Sequence, residues 1–594
     1  VRGLQVRLER APKVSTASEL RTALRTAPTE QDTASTFITV SDKLSPGESA
    51  PFSVSLPLRG NLDNSPGLTE AGVYPMLVNV NGEPDFGGRA RLDVAHFLLP
   101  VLSLPPDPGA ANPPAANPPA ANPPAAPPKQ GQGATTGITV LWPLADRPRL
   151  RPSAFGAPAL LSDDDLARSF AAGGRLDGLL QAVEQRTTPG ADPTGALGNS
   201  LCLGVDPDLL VTAEDMIRGY QVLGANGQTR AGTGGPDANA WLQRLKAVAK
   251  QRCVLAMPWS QADLNALSRA SLPDLVSAAV ASGRDVVAKS LGLPAVTDVV
   301  WPDGGFLTER AAAGLPRLGA KTVLVSGDGV DPAQGSGLAP GTGTVKLAFD
   351  GGTLGAGLID APAEAALAAT GSGADRQLRL QDALGAMTWP AITTAQSAAD
   401  GGTRSARGAA TGAVLLAPPQ VWDIDGDQAQ TVLDSVSALL QSGAATAAPL
   451  PALVNGATTS PTTAQLDYPV QAASAEVPPR TTSAIASTLA DLDQFSRALQ
   501  RDPQSGVTPD DLLSPLQFTL LRAASTSVAE DDAAAASEVD AARQALTRLH
   551  DEVSLQAPSG TYTLASAQSP LLLVVRNDLP VSIDVRVSVD APAG

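Results

Sequence analysis

The chain has 594 residues, a formal net charge of −17 and a sequence pI near 4.6. It is too long for one hydrophobic core, so several domains are expected. Its acidic surface would repel nucleic acid phosphates and anionic lipid headgroups, which excludes both as expected partners. Hydrophobic residues make up 43% of the chain and charged residues 17%, which favours packed domains over wholesale disorder.

Residues 1–103 alternate between apolar and polar side chains, as strands with one buried face do. The alternation is clear at 4–8 and 52–56, and a Ser-Pro-Gly turn at 45–47 separates strands. This predicts an immunoglobulin-like β-sandwich that lacks its first strands. Residues 104–136 repeat the unit Ala-Ala-Asn-Pro-Pro three times and predict an extended, proline-rich linker.

Short apolar strands alternate with amphipathic helical stretches over residues 137–460. We place the strands at 138–142, 201–205, 253–257, 298–301, 322–326, 345–349 and 413–417. Such repeats predict a central (β/α)7-8 parallel barrel, with a doubly wound open sheet as the alternative. No Gly-rich phosphate fingerprint follows the first strand, where Trp-Pro-Leu stands at 142–144. We predict no cofactor.

The last part of the chain is helical and then returns to strands. Residues 475–557 carry apolar residues at helical spacing and predict a small helical bundle on the barrel. Residues 558–594 predict the start of a second β-sandwich, which gives a multi-domain protein with α/β and all-β parts. Because Val1 and Gly594 adjoin strand patterns, we expect a signal sequence and membrane anchor outside these residues.

Cys202 and Cys253 are the two cysteines, and each stands near the start of an apolar run typical of a buried parallel strand. On neighbouring strands they would lie at equivalent ends and could form a disulfide. Two separate buried thiols are the alternative. A pair without a third cysteine favours the disulfide and an oxidising compartment outside the cytoplasm.

Tryptophans lie at or just after the ends of predicted strands, with Trp142, Trp259, Trp301 and Trp422 as the best examples. The carboxyl ends of parallel barrel strands form the face where ligands bind. These rings could therefore stack on sugars and serve as ligand-binding residues. The alternative is that they cap the strands and fill the barrel mouth.

Aspartates are also frequent at the strand ends, and Asp206, Asp303 and Asp423 are the best placed. A glycosidase needs two carboxylates across a cleft, one of which its surroundings keep protonated. The three aspartates are therefore candidate catalytic residues. Because Asp is also a common turn and N-cap residue, a structural role is the alternative for each.

The two histidines, His96 and His550, lie outside the predicted barrel. An imidazole-ligated zinc site or a Ser-His-Asp triad is therefore not expected there. We predict no metal site.

Four motifs of the barrel region carry a resemblance to a known family. They are Leu-Trp-Pro-Leu at 141–144, Val-Asp-Pro-Asp-Leu-Leu at 205–210, Met-Pro-Trp-Ser-Gln-Ala-Asp-Leu at 257–264 and Val-Trp-Pro-Asp-Gly at 300–304. Together with the domain order, they resemble an actinobacterial family of large exported, membrane-anchored proteins of unknown function, typically encoded beside the lipid II flippase. The resemblance implies an anchored, extracytoplasmic protein of the cell envelope. Its expected partners are a cell-wall glycan or a membrane protein of peptidoglycan synthesis.

The predicted barrel also resembles the seven-stranded barrel of polysaccharide deacetylases and of some glycoside hydrolases with appended helices. The Asp-His-His metal triad of the deacetylases is absent, which argues against deacetylation. The resemblance places the hydrolase nucleophile at the end of the fourth strand, where this chain has Asp303 instead of the usual Glu.

Three functions remain open from the sequence. The first is a non-catalytic envelope protein whose barrel binds a glycan or a protein partner. The second is a glycoside hydrolase that uses Asp303 with Asp206 or Asp423, and the third is a purely structural spacer. An open mouth with converging aspartates and exposed tryptophans would favour the first two, and a filled mouth would favour the third.

Overall fold

A computed structural model describes most of the chain and shows a mixed α/β protein, which confirms the predicted class at that level. The described residues are 1–28, 31–104, 136–224, 226–332, 343–399, 412–529, 531–556 and 573–587. Nearly all of the predicted linker, residues 105–135, lies outside them. Among the described residues, no helix has the length and apolarity that crossing a membrane requires.

The N-terminal region, residues 1–104, forms one antiparallel sheet and one helix. Its elements are β1 (Arg2–Arg10), α1 (Ala17–Arg25), β2 (Thr33–Ala34), β3 (Ile38–Lys43), β4 (Gly72–Glu83) and β5 (Ala90–Val101). The strand order is β2-β1-β4-β5, and β3 pairs with β1 beside β2. Within the described part of this region the strands make one layer, so the predicted immunoglobulin-like sandwich is not found here.

The barrel region, residues 136–466, contains a ring of parallel strands. Its elements are β6 (Thr136–Leu144), β7 (Leu150–Arg151), β8 (Ala159–Leu161), α2 (Asp165–Phe170), α3 (Arg175–Arg186), α4 (Ala196–Ser200), β9 (Leu201–Val205), α5 (Pro207–Arg218), β10 (Tyr220–Leu223), β11 (Thr229–Ala231), α6 (Gly235–Ala249), β12 (Cys253–Ala256), α7 (Leu264–Arg269), α8 (Pro273–Ser277), α9 (Gly283–Leu291), β13 (Val299–Val300), α10 (Glu309–Gly314), β14 (Thr322–Ser326), β15 (Val330–Pro332), β16 (Gly343–Phe349), β17 (Gly352–Ile359), α11 (Ala361–Ala368), α12 (Arg376–Ala399), β18 (Ala413–Leu416), α13 (Gly426–Gln441), β19 (Ala445–Ala447), α14 (Leu450–Thr459) and β20 (Thr463–Leu466).

The ring follows the order β6, β9, β12, β13, β14, β17 and β18, and every neighbouring pair is parallel. Strands β12 and β13 are joined by a parallel bridge between Leu255 and Val296. The ring closes because β18 also pairs with β6. This closure excludes the open doubly wound sheet.

One ring strand differs from the prediction. Residues 345–349 belong to β16, which pairs antiparallel with β17 outside the ring, and β17 supplies the ring strand. Its sequence Gly-Thr-Leu-Gly-Ala-Gly-Leu-Ile has a weak strand signal because glycine is unfavourable in strands. The glycines allow α14 to pack closely: a Cβ at Gly357 would lie 2.5 Å from Cδ2 of Leu453.

The interior of the ring is filled by apolar side chains. They include Leu141, Cys202, Leu255, Trp301, Leu324 and Leu415, with Leu450 and Leu453 of α14 beside them. The Trp301 ring occupies space that a larger residue at 204 would need, since a Cβ at Gly204 would lie 2.8 Å from it. The ring is therefore a packed core rather than an open channel.

The helical region, residues 470–556, packs on the barrel, and residues 573–587 add two short strands to it. The elements are α15 (Val470–Ala475), α16 (Pro479–Ser496), β21 (Leu499–Gln500), α17 (Pro509–Ala523), α18 (Asp532–Asp551), β22 (Val553–Gln556), β23 (Val574–Asn577) and β24 (Ser582–Ile583). Helices α16, α17 and α18 share a core with one another. Strand β23 pairs with β22 and β24 with β21, so the described residues of this segment do not form a second sandwich.

Helix α17 begins with a capping box. The Thr508 hydroxyl accepts a hydrogen bond from the Asp511 amide, and the Asp511 carboxylate accepts one from the Thr508 amide. Together with Pro509 at the first helical position, these bonds fix the start of the helix.

Helix α12 of the barrel region holds the N-terminal sheet. The Asp382 carboxylate accepts a hydrogen bond from the Leu98 amide at 2.9 Å, and the Gln381 side chain donates to the Leu98 carbonyl at 3.1 Å. These two side chains replace a neighbouring strand along the edge strand β5. Gly385 permits the close approach, because a Cβ there would lie 2.4 Å from Leu98 Cβ. The helix thus takes the place of a neighbouring strand at the edge of the sheet.

Cys202 and Cys253 form the predicted disulfide. They are direct partners in the parallel register of β9 and β12, with Cα atoms 4.5 Å apart. The bond links the second and third ring strands and closes a loop across a sequence separation of 51 residues.

Replacement of both cysteines by alanine is expected to lower the free energy of unfolding of the barrel region by about 3–4 kcal/mol, because the unfolded chain gains the entropy of the opened loop. Urea unfolding followed by tryptophan fluorescence measures it, since all six tryptophans lie between residues 142 and 422. Dithiothreitol should shift the wild type to the same midpoint and leave the double variant unchanged. An unshifted midpoint in the double variant would contradict the expectation.

Candidate functional site at the barrel mouth

Acidic side chains gather where the ring strands end. We call this end of the ring the barrel mouth, and its acidic residues include Asp146, Asp206, Asp208, Asp303, Asp328, Asp360 and Glu364. The carboxyl ends of parallel barrel strands meet at one face, so these side chains come from distant parts of the sequence to one region.

Asp303 lies in a turn after β13 and is half-buried. Its Oδ2 accepts a hydrogen bond of 2.6 Å from the hydroxyl of Thr526, which follows α17. Burial raises the pKa of Asp303, and the Thr526 bond opposes that shift. The Thr526 hydroxyl also lies 3.1 Å from the Gln261 carbonyl. The single Thr526 hydroxyl proton is therefore shared between the Asp303 carboxyl group and the Gln261 carbonyl.

Glu364 is a second carboxyl group beside Asp303, and the sequence did not single it out. It stands in the first turn of α11, where Oε2 accepts a 2.6 Å hydrogen bond from the Ser326 hydroxyl. A Cβ at Gly305 would lie 3.3 Å from Oε1 of Glu364, which places Glu364 next to the Asp303 turn. Burial raises the pKa of Glu364 to about 8, and the charge of Asp303 adds to the shift.

Asp206 is enclosed by the chain. Its Oδ1 accepts hydrogen bonds from the amides of Asp208 and Ser260, and its Oδ2 accepts one from the Gln261 side chain, at 2.8–3.0 Å. Burial raises the pKa of Asp206 to about 8, with a further contribution from the charge of Asp208. The carboxyl group caps α5 and is occupied by donors of the chain.

The backbone beside Asp206 is strained. Ser260 and Gln261 have φ values of 54° and 51°, in the left-handed region that side chains other than glycine rarely adopt. Such residues cost of order 1–3 kcal/mol each and persist only where surrounding contacts fix them. The bonds to Asp206 supply such contacts, and Thr526 adds one at the Gln261 carbonyl.

The structure brings two of the three candidate aspartates together. Asp206 and Asp303 are connected through the Gln261 side chain, the Gln261 carbonyl and Thr526. Asp423 is exposed and lies by another loop, where a Cβ at Gly371 would be 3.6 Å from its Oδ2. Glu364, rather than Asp423, is a neighbouring carboxyl group of Asp303.

The four tryptophans named from the sequence are buried, with at most 2% of each exposed. Trp142 packs edge-to-face on Trp422 with ring centroids 5.4 Å apart, and Trp301 fills the ring. Trp259 stacks on Phe518 at 3.9 Å. Their faces are covered by the chain itself, which corrects the expectation of exposed sugar platforms. Trp301 lies in the core inside the ring, and Trp142 and Trp422 lie in the core shared with α3 and α13.

A buried ion pair joins the mouth to the helical region. Arg522 of α17 donates from Nε and Nη2 to Oδ1 of Asp208 at 2.8 and 2.7 Å, and both side chains are 3% exposed. The same oxygen accepts a 2.9 Å hydrogen bond from the Trp259 indole. Nearby, Asp263 caps α7 and its other oxygen accepts from the Val477 amide at 2.9 Å.

The N-terminal region reaches the mouth from α1. Arg21 donates to Oδ1 of Asp328 at 2.6 Å, with both side chains partly exposed. The mouth therefore contacts both flanking regions, through Arg21 from one and through Arg522 and Thr526 from the other.

Replacement of Arg522 by methionine is expected to lower the free energy of unfolding by about 3–5 kcal/mol, because it leaves the Asp208 carboxylate buried without a countercharge. The double variant Asp208→Asn/Arg522→Met should recover much of the loss. Thermal and urea unfolding measure both. Arg543→Met is the matched control, since Arg543 pairs with Asp540 at the surface and should matter by less than about 1 kcal/mol. If Arg522→Met and Arg543→Met lowered the free energy of unfolding equally, the buried Asp208–Arg522 pair would not have the assigned stabilising role.

The raised pKa values of Asp206 and Glu364 predict a pH-dependent stability. Both groups remain protonated in the folded state up to about pH 8 and ionise near pH 4 when unfolded. The folded state then binds more protons, so the free energy of unfolding should fall as pH rises from about 4 to 8. Glu364→Gln should flatten this slope by up to about 1.4 kcal/mol per pH unit. Urea titrations of the wild type and of Glu364→Gln at pH 5, 6, 7 and 8 measure this slope. An equal slope in the two proteins would contradict the raised pKa of Glu364.

Comparison with solved structures finds distant likenesses. A GH57 branching enzyme from Thermococcus kodakaraensis is 11% identical, with a TM-score of 0.44 over 71% of this chain and 90% of that one. The α-amylase AmyC from Thermotoga maritima is 10% identical, with a TM-score of 0.42 over 70% and 92%. A 4-α-glucanotransferase from Thermococcus litoralis is 11% identical at a TM-score of 0.35 over 69% of this chain, which spans only 54% of its length. Likenesses this distant assign no activity to the chain.

A search of curated proteins finds no match. A family model matches residues 25–593, which is nearly the whole chain. This confirms the expectation of a family of unknown function that covers nearly the full length. The chain belongs to the family of unknown function DUF6049.

Proposed function

We propose that the chain is a non-catalytic, extracytoplasmic protein of the cell envelope that binds a glycan or a protein partner in cell-wall (peptidoglycan) biogenesis. The proposal rests on one observation: acidic side chains of the barrel mouth are bound by residues of the flanking regions. Asp303 is held by Thr526, Asp208 by Arg522 and Asp328 by Arg21. A hydrolase needs its acid and base free to meet a substrate, whereas here such positions join the flanking regions to the barrel.

The location is supported by the disulfide and by the motifs. A buried structural disulfide is typical of proteins outside the reducing cytoplasm. The four barrel motifs resemble those of the actinobacterial envelope family encoded beside the lipid II flippase, which supports a place near peptidoglycan synthesis. The protein would meet the membrane only through an anchor beyond these residues. The packed ring also suits a purely structural spacer, and glycan binding in the experiment described below would argue against that function.

A carboxylate-dependent glycoside hydrolase is the second candidate, and one observation favours it. Asp303 and Glu364 are neighbours at the mouth, and Glu364, with its pKa raised to about 8, would remain a protonated acid at neutral pH. In that function Asp303 is the nucleophile and Glu364 the general acid. Thr526 would then have to release Asp303 for substrate to bind.

Incubation of the purified protein with cell-wall peptidoglycan or arabinogalactan tests the proposal. We expect no reducing ends above those from heat-denatured protein, because the mouth carboxyls are occupied by the chain. Thr526→Val, which removes the hydroxyl from Asp303, should be equally inactive.

Release of reducing ends that Asp303→Asn and Glu364→Gln both abolish would contradict the proposal and establish the hydrolase. Asp423→Asn is the matched control in that case, since Asp423 lies by another loop and should leave such turnover unchanged.

A further inference from the structure

A second site candidate lies away from the mouth carboxyls. A cleft of about 1180 Å³ separates the barrel region from the helical region. Its walls are the loop 150–159, helix α5, helix α17 and the end of α18, and Asp303 and Glu364 are not among its lining residues. The volume exceeds the roughly 300–1,000 Å³ of ordinary small-molecule sites, so the cleft has room for a ligand of several rings.

Two phenylalanines line the cleft, one from α17 and one from the loop between β7 and β8. Phe518 of α17 stacks on the buried Trp259 with an interplanar angle of 7°, and the rest of its half-buried ring lines the cleft. Phe155 is 51% exposed in the loop between Pro152 and Pro158. Trp259 holds the Phe518 ring in one orientation, and the prolines restrict the loop that carries Phe155. Aromatic rings that line a cleft in this way can stack on the apolar face of a sugar ring.

The charged side chains of the cleft carry both signs. Asp215 and Arg218 come from α5, Asp511 from the start of α17, and Arg548 and Glu552 from the end of α18. A polyanion or a polycation would meet like charges in the cleft as a whole, and a purely apolar ligand would remove these groups from water without partners. Carboxylates and guanidinium groups together can accept from and donate to hydroxyls, so a neutral polyhydroxylated ligand fits best.

We infer that this cleft binds a neutral oligosaccharide segment of an envelope glycan, with sugar rings stacked on Phe155 and Phe518. Hydroxyls of the bound sugars are held by the charged side chains of α5 and α18, because the Asp511 carboxylate already caps α17. The inference rests on the proposed function insofar as that function names a glycan, and it places the glycan outside the barrel mouth.

Binding of chitotetraose, a tetramer of β-1,4-linked N-acetylglucosamine, tests the inference by isothermal titration calorimetry, with maltotetraose as a second neutral probe. We expect the wild type to bind at least one of the two. Phe155→Ala should weaken that binding by about tenfold, because it removes one of the two stacking rings from an exposed loop. Phe518→Ala should weaken it at least as much, with thermal unfolding used to confirm that the variant is folded. Phe86→Ala is the matched control: Phe86 is 94% exposed in the N-terminal region, so affinity should not change.

The outcomes separate the cleft from the proposed function. Binding that survives both Phe155→Ala and Phe518→Ala overturns the cleft but leaves glycan binding standing. Binding that only Glu364→Gln weakens overturns the cleft and moves the glycan to the mouth. Absence of binding of both probes to folded wild-type protein also overturns the inference. The proposed function fails separately, if the reducing-end experiment shows turnover.

Discussion

The ion pair between Asp208 and Arg522 determines how the barrel and the helical region are held together. Withdrawing each charge from water costs several kcal/mol, so the pair persists only with good geometry and further hydrogen bonds. Both conditions are met, because Arg522 donates twice and the Trp259 indole donates to the same oxygen. The stacking of Trp259 on Phe518, the Thr526 contacts and the strained backbone at 260–261 are arranged around this pair. Removing one of the two charges would therefore destabilise the entire contact between the barrel and the helical region.

The barrel mouth shows a competition between structural and catalytic use of the same groups. A catalytic carboxyl must contact substrate, whereas Asp206, Asp303 and Glu364 already have partners within the chain. Their pKa values are raised chiefly by burial, which follows from close packing as readily as from catalysis. The same packing that fills the mouth leaves a cleft between the two regions, and the cleft has aromatic walls that the mouth lacks.

The parts of the fold with strong local signals could be predicted from the sequence. Strands β9 and β12 are continuous apolar runs, because they are buried on both faces, and their shared register places Cys202 opposite Cys253. Strand β17 was missed because its glycines, which α14 requires, weaken the signal, and Glu364 was missed with it. The sequence shows that tryptophans lie at or near strand ends, but it does not reveal that other side chains cover their rings. The predicted N-terminal sandwich is not found in the described residues, and the contact of α12 with Leu98 across a separation of 284 residues leaves no local signal in the sequence.

The central claim is that buried contacts at the mouth make the barrel and the helical region one cooperative body. Native-state hydrogen exchange compares them directly, because amides that open only by joint unfolding exchange with the same free energy. We predict that the amides of α17 and of β12 have equal free energies of opening within about 1 kcal/mol. Exchange of α17 at the rate of a frayed helix, while β12 stays protected, would show that the helical region opens independently and would contradict the account.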